Sequence, residues 1–556
     1  MAGQQTGAII RNSAYVTKSR RWGEHQLMHL NRLSMRKGAP QADPDPLPDI
    51  NISASPKVST VVMHSQNHRF ALEGRYQRFF QIVDEIVEEI QTHRWEATGE
   101  TKKQLRGDRL NKLRASVETL TRDSLGLVYQ RVQKGEASIH LDGNWYSSSA
   151  SPSELTRSIH IQRAYQGMLE LGYLEQTKNG VYDRQGRKDG TVRSRLTRYQ
   201  ATDRLIGKFT EEEQEVLPVL VPPAREHAPI RVRIKKADGP DELFVAPDNS
   251  EVRRMTENLA RINLVLASRW YDLQLPDQEM GELVARLMDD PEGAKSLSLD
   301  KRSLYRVFND RELTTGGRFY GGWWQNVPKA YRRVLVVNGK HMVEIDYSNL
   351  HPVILYGETG AVPPEDCYLG IFDSATEARG GSALRSKVKS AFNAMLNAEK
   401  TLRQAPKGIN FDEFDLSWKQ VSDAILAAHE PIAHLFYSGA GKRLQRKDSD
   451  VAERVMLDFI ERGIPILPVH DSFLVHDGHR ELLADRMQAA LYEVCGVATK
   501  LKAEEPNLSR IIARNATGEG DDRGKFGDPT NLDIVELLRH RDACDKRLDA
   551  FFDLKE

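Results

Sequence analysis

Apolar residues recur at helical spacing through RYQRFFQIVDEIVEEIQ (75–91), which predicts an amphipathic helix opening a helical region. RSIHIQRAYQGMLELGYLEQ (157–176) repeats the pattern, ends at Gly172 and passes into a short strand. The stretch after it, NGVYDRQGRKDGTVRSRLTRYQAT (179–202), reads as a hairpin. From about 229 to 312 the pattern is mainly helical, as in SEVRRMTENLARINLVLASRWYDL (250–273). Two later stretches behave differently, because each drives a β-branched strand straight into an aspartate. In VEIDYSNLHPVILY (343–356) the strand reaches Asp346, then a small polar turn and more apolar residues follow. In GIPILPVHDSFLVHDG (463–478) the strand reaches His470 and Asp471, and a second strand leaves through Phe473, Leu474 and Val475, a hairpin with an aspartate at its tight bend.

Composition divides the rest. Residues 36–60 are rich in Pro, Asp and Ser and read as a linker; VLPVLVPPAREHAP (216–229) marks a boundary, and NATGEGDDRGKFGDPTN (515–531) precedes a short charged helix. The expected organisation is a basic disordered tail and linker over 1–66, a helical domain with a hairpin over 67–235, a helical region over 236–312, a core over 313–510, and a linker with a C-terminal helix over 511–556. A chain of 556 residues is too long for one ordinary core. Lys+Arg and Asp+Glu are both 79, so net charge gives no hint of a polyanionic partner and local clusters must carry that argument. Cys367, Cys495 and Cys544 are far apart with no CxxC, which argues against a disulfide framework or structural zinc and fits a reducing cytoplasm. No apolar run approaches the roughly 18 to 20 residues that span a bilayer, so no membrane is expected. The first 23 residues hold Arg11, Lys18, Arg20 and Arg21 without an acid, compatible with a transit peptide, although a basic disordered tail is the plainer reading. Oligomeric state is left open.

The hairpin at 179–202 carries Arg184, Arg187, Lys188, Arg193, Arg195 and Arg198. A helix, a short strand and a basic hairpin in that order suggest a winged helix, whose helix enters a groove and whose wing neutralises phosphates. The plainer alternative is a solvated hairpin beside a core helix.

A carboxylate at a strand end is costly unless a cation, a metal or water meets it. Two of them, Asp346 and Asp471, are what a two-metal site requires, with divalent ions roughly 3.5 to 4 Å apart bridging both acids. Hard ions that accept carboxylate and backbone carbonyl oxygen while keeping several waters point to two Mg2+, with Mn2+ as a substitute. Taken singly, each aspartate is an ordinary turn former or cap.

At this point the segments resemble a known family. DYSNLHP (346–352) is similar to motif A of the family A DNA polymerases, the bacterial polymerase I type; VHDSF (469–473) is similar to motif C, its Ser-Phe pair being closer to single-subunit phage-type RNA polymerases. TTGGRFYGGWWQNVP (314–328) resembles the segment that contacts primer and template, RSKVKSAFNAMLNA (385–398) resembles the fingers helix of motif B, and LQRKDSDVAERVM (444–456) resembles the helix whose glutamine lies along the duplex minor groove. The resemblance covers the last half of the chain and implies an α+β right-hand polymerase with thumb (236–312), palm and fingers, preceded here by the winged helix. It implies that Asp346, Asp471 and the carbonyl of Tyr347 hold the metals. Arg385 and Lys389, at i and i+4 on one helix face, would grip the triphosphate, with Lys389 as proton donor to the leaving group. Arg318, Gln325, Asn326 and Gln445 would hold primer and template, with His470 orienting Asp471 or touching the primer end. Trp323 and Trp324 fit core packing better than base stacking.

The chain also departs from the pattern. His351 stands where the DNA polymerases carry a glutamate against the ribose 2′-hydroxyl and the RNA polymerases carry glycine; its bulk favours deoxynucleotides. Asn397 and Asn393 stand at nucleotide-contacting positions where the family has tyrosine and an aromatic residue or Met, with Phe392 one position off. The expected function is therefore DNA-directed DNA synthesis on a primer-template from nucleoside triphosphates, in a phage, plasmid or mobile element. Two alternatives remain: a primase or single-subunit RNA polymerase-like enzyme, and a non-catalytic replication initiator.

Overall fold

The computed structural model describes residues 74, 76–98, 105–129, 136–139, 141, 159–180, 196–223, 228–234, 242–275, 277–288, 297–406, 408–504 and 534–553. Over these residues the fold is mixed α and β, and the chain divides into two compact units. One takes the described residues up to 305 together with 320–343 and 534–553; the other takes 306–319 and 344–504.

The first unit begins with α1 (Gln77–Thr98), α2 (Asp108–Tyr129), β1 (Ala137–Ile139), α3 (Ile159–Glu170), β2 (Leu174–Lys178) and β3 (Thr197–Ala201). The strands form an antiparallel sheet in the order β1-β3-β2. The apolar face read at 75–91 is the buried face of α1: Phe79, Ile82, Val83, Ile86 and Ile90 join Val117, Leu120, Tyr165, Met168 and Tyr199 in one core. Burying each such side chain contributes about 1.5–3 kcal/mol, which holds short strands that would not persist alone. Helix α3 stops at Gly172, whose φ of 71° suits the left-handed conformation of a helix C-terminus. Arg184, Arg187, Lys188, Arg193 and Arg195 lie outside the described residues. Arg198, on β3, pairs with Glu136 at 2.8 Å.

Then come β4 (Ile230–Ile234), β5 (Glu242–Val245), α4 (Ser250–Ala267), β6 (Tyr271–Leu273) and α5 (Asp277–Met288). The region expected to be mainly helical thus has two helices with strands around them. In Ile230-Arg-Val-Arg-Ile234 the apolar residues alternate, and this period of two makes a strand that pairs with β5. Asn249 caps α4 by accepting from the Val252 N–H at 2.8 Å, worth about 1 kcal/mol.

The chain continues through β7 (Tyr305–Phe308), β8 (Gly316–Tyr320), β9 (Leu335–Val337), β10 (Lys340–Tyr347), α6 (Leu350–Thr359), α7 (Ser374–Asn397), α8 (Trp418–Ala428), α9 (Ala440–Ile460), β11 (Leu467–Val469), β12 (Ser472–His476), α10 (Arg480–Cys495), β13 (Leu501–Glu504) and α11 (Ile534–Asp553). In the first unit β9 pairs with β6 and with Lys340 and His341. Trp323 and Trp324 are buried there, Trp324 against Tyr271 at 5.8 Å, so both serve the core and neither offers a face to a base. Helix α11 belongs to the same unit, through Arg547 on Asp272 at 2.7 Å and Phe551 on Trp270 at 5.6 Å. In the second unit Glu344–Tyr347 pair antiparallel with β13 on one side and neighbour β12 on the other. Among the described residues no helix is long and apolar enough to cross a membrane.

Candidate active site

Strand β10 alternates as its sequence dictates, so Glu344 and Asp346 share a face. Across β13 these two oppose Glu504 and Lys502. Across β12, Ser472 donates its hydroxyl to Glu344 at 2.7 Å, and both side chains are buried. Asp471 directly precedes Ser472, and Asp346 is the next residue on the face of Glu344. The two strand-end carboxylates therefore leave neighbouring strands beside one hydrogen-bonded pair. The hairpin is tight: Val469 pairs with Ser472, leaving His470 and Asp471 as the two-residue loop. His470 has φ 60°, a left-handed conformation in a turn position that usually takes glycine. Past Asp346, Tyr347 is buried and donates its hydroxyl to the Met487 carbonyl at 2.6 Å. Burial pushes that phenol well above its usual range, so it stays a neutral donor.

Opposite charge is supplied by α7. Asp373 caps its start, a break at Gly381 (φ 48°) divides it, and Arg385 and Lys389 follow on one face of the second segment. Arg385 Nε meets Asp366 Oδ2 at 2.7 Å. The Arg385 guanidinium lies 5.4 Å from the centre of the Tyr368 ring and the Lys389 ammonium 5.9 Å from it. Burial raises the Tyr368 phenol far above its usual range, and the Asp471 carboxylate adds to the rise through its charge. Both cations of α7 thus stand over the Tyr368 ring. Phe392, further along the same face of α7, is buried edge-on to Tyr368, His429 and Phe436, and so belongs to the core. Asn393 is half-buried, and Asn397 donates to its backbone carbonyl at 2.8 Å. A Cβ on Gly441 would come within 2.3 Å of Asn397, so Asn397 is wedged against the start of α9.

Helix α9 contributes a buried acid that motif spacing alone did not single out. The Asp448 side chain is 1% exposed. It accepts from Arg318 Nη2 at 2.5 Å and Nε at 3.1 Å, and meets His351 Nε2 at 2.9 Å. One turn on, Asp450 and Glu453 pair with the wholly buried Arg306, which also donates to the Gly317 carbonyl at 2.8 Å. Asp448 falls on the apolar stripe of α9 with Leu444, Val451 and Val455, and a charge on a buried stripe is the sequence signal that could have found it. Gln445 is half-buried one turn earlier. Gln325 and Asn326 follow the two tryptophans in a short 3-10 helix of the other unit.

No protein-family model matches the chain, and no curated protein matches it. Among the described residues no group of three His, Cys, Asp or Glu side chains is gathered tightly enough to hold a metal ion. Asp346 and Asp471 are two carboxylates, and magnesium characteristically takes one or two from the protein, with water and substrate phosphates completing its shell. Two carboxylates are thus within the donor set that Mg2+ takes from proteins.

Proposed function

We propose that this chain is a template-directed nucleotidyltransferase, a DNA polymerase of right-hand type with a winged-helix module ahead of it. The observation that carries the reading is the pair of strand-end carboxylates, Asp346 and Asp471, that leave neighbouring strands beside the buried Glu344–Ser472 bond; in the same unit Arg385 and Lys389 stand over the Tyr368 ring. The module is supported by the order helix, helix, strand, helix, strand, strand and by the β1-β3-β2 sheet, with the basic segment falling between β2 and β3. Helices α4 and α5 are assigned to the thumb.

Asp346, Asp471 and the Tyr347 carbonyl would hold two Mg2+, or Mn2+ in their place. When bound, these supply Lewis-acid activation of a primer 3′-hydroxyl and charge neutralisation of the leaving pyrophosphate. Arg385 and Lys389 draw in the triphosphate and orient it, Arg385 exchanging Asp366 for phosphate oxygen. Lys389, exposed at its tip, gives a proton to the departing bridging oxygen. Within the unit of Asp346 and Asp471, Arg318, Gln445 and His470 steady primer and template, and the bulk of His351 disfavours a 2′-hydroxyl.

Primer extension with deoxy- or ribonucleotides supplied separately tests this. Deoxynucleotides are expected to be incorporated, and Asp346→Asn or Asp471→Asn should each lower kcat about a thousandfold or more with DNA binding retained. Incorporation of ribonucleotides alone would move the chain to the RNA-making class. DNA binding without incorporation on any template would make it an initiator.

A further inference from the structure

We propose that Asp448 is a positioning residue for sugar selection: its buried carboxylate fixes His351 in one orientation beside the strand end that carries Asp346. This rests on the polymerase reading above. The geometry is over-determined in a way that chance surface pairs are not. Asp448 comes from α9, Arg318 from β8 and His351 from the first turn of α6, and they converge on a carboxylate that is 1% exposed, whereas Arg318 and His351 are 20% and 19% exposed. Arg318 can only donate, and it reaches Asp448 Oδ2 through Nη2 and Nε. His351 meets the same oxygen through Nε2 at 2.9 Å, and its ring is anchored by that edge. The anchored imidazole lies in the first turn of α6, five residues past Asp346, and on the polymerase reading it is the side chain that meets the sugar of an incoming nucleotide. A steric filter works only if its side chain cannot swing aside. The Asp448 bond removes that freedom, and Arg318 holds Asp448 in turn.

The same primer-extension assay, run with both nucleotide types, tests the assignment through the ratio of kcat/KM for ribo- over deoxynucleotides. Asp448→Asn keeps the shape and removes the charge; Asp448→Glu keeps the charge and moves it by one methylene. Both are expected to raise the ratio about tenfold, the scale on which a small steric change in a pocket acts. His351→Ala should raise it similarly, and Asp448→Asn added to His351→Ala should change it less than about twofold, because the two act through one contact. Thermal melts of each variant accompany the assay, and the Asp448→Glu chain carries the comparison if Asp448→Asn unfolds. A fall in kcat/KM that is equal for both sugars, with the ratio unmoved, would mean that Asp448 is merely structural and would overturn the proposal. So would additive ratios in the double variant. A parent chain that incorporates neither sugar would defeat the polymerase reading and this proposal with it, which separates that failure from the other two.

Discussion

Ser472 is a small residue with two obligations: it donates to the Glu344 carboxylate at 2.7 Å and meets the Val469 carbonyl at 3.1 Å. Removing the hydroxyl leaves a buried acid short of a donor, which costs about 1–3 kcal/mol. Ser472→Ala is therefore expected to lower the chain's stability by that amount in urea melts. It should also lower kcat for primer extension about tenfold, because Asp471 is the adjoining residue. Unchanged values for both would remove Glu344 and Ser472 from the site's framework. His429 makes a pH-dependent contribution in the same unit. Its Nδ1 faces the Tyr356 hydroxyl and its Nε2 faces the Cys367 carbonyl, each at 2.9 Å. Burial pushes its pKa below the ordinary 6.5, and the Cys367 carbonyl only partly offsets that. The unfolded chain then binds a proton that the fold resists. Stability from this group is present above pH 6.5 and is lost as pH falls through the interval between 6.5 and the lowered value. The midpoint of urea unfolding should fall on acidification across that interval, and His429→Gln should flatten the slope there.

At the scale of elements, the hairpin β11–β12 holds its strain in the turn that carries Asp471. A left-handed non-glycine residue costs on the order of 1–2 kcal/mol, and His470 keeps that conformation at φ 60° beside Asp471. His470→Gly should recover up to about 1 kcal/mol in denaturant melts after glycine's own entropy cost, while lowering kcat/KM for extension at least about fivefold. A glycine variant of full activity and lower stability would contradict both halves of that expectation. This hairpin was legible in the sequence because a β-branched run, a polar pair and a second apolar run leave few other folds. The strand into Asp346 and the α7 face of Arg385 and Lys389 were legible for the same local reason. Pairing across the chain was not: Asp448 lies 130 residues from Arg318 and 97 from His351, and nothing in local periodicity joins them. The strands β4 and β5 were passed over because they are only five and four residues long, and β5, Glu-Leu-Phe-Val, does not alternate, beside an 18-residue helix with a strong apolar stripe.

For the whole molecule, the segment from Tyr76 to Val221 has a hydrophobic core of its own, which meets the first requirement for folding alone. On the proposed reading its basic segment would meet phosphate, a role on which net charge, zero over the chain, is silent. Of the six cations, Arg198 is held by Glu136, so the five between 184 and 195 carry the expectation of phosphate contact. Each cation that displaces a counterion contributes about −0.9 to the slope of log affinity against log salt on duplex DNA. A fragment spanning 67–235 should therefore fold cooperatively and bind duplex DNA with a slope between about −3 and −5. Replacing Arg184, Arg187 and Lys188 by Gln should make that slope shallower by roughly 2 to 3 units and weaken binding to all sequences alike, since phosphate contacts position without specifying. The full chain with those substitutions should extend a primer normally at low salt and lose activity earlier as salt rises. A slope unaltered by the three replacements would return the hairpin to the role of a solvated edge beside a core helix, and the unit carrying Asp346 and Asp471 would then have to capture its template unaided.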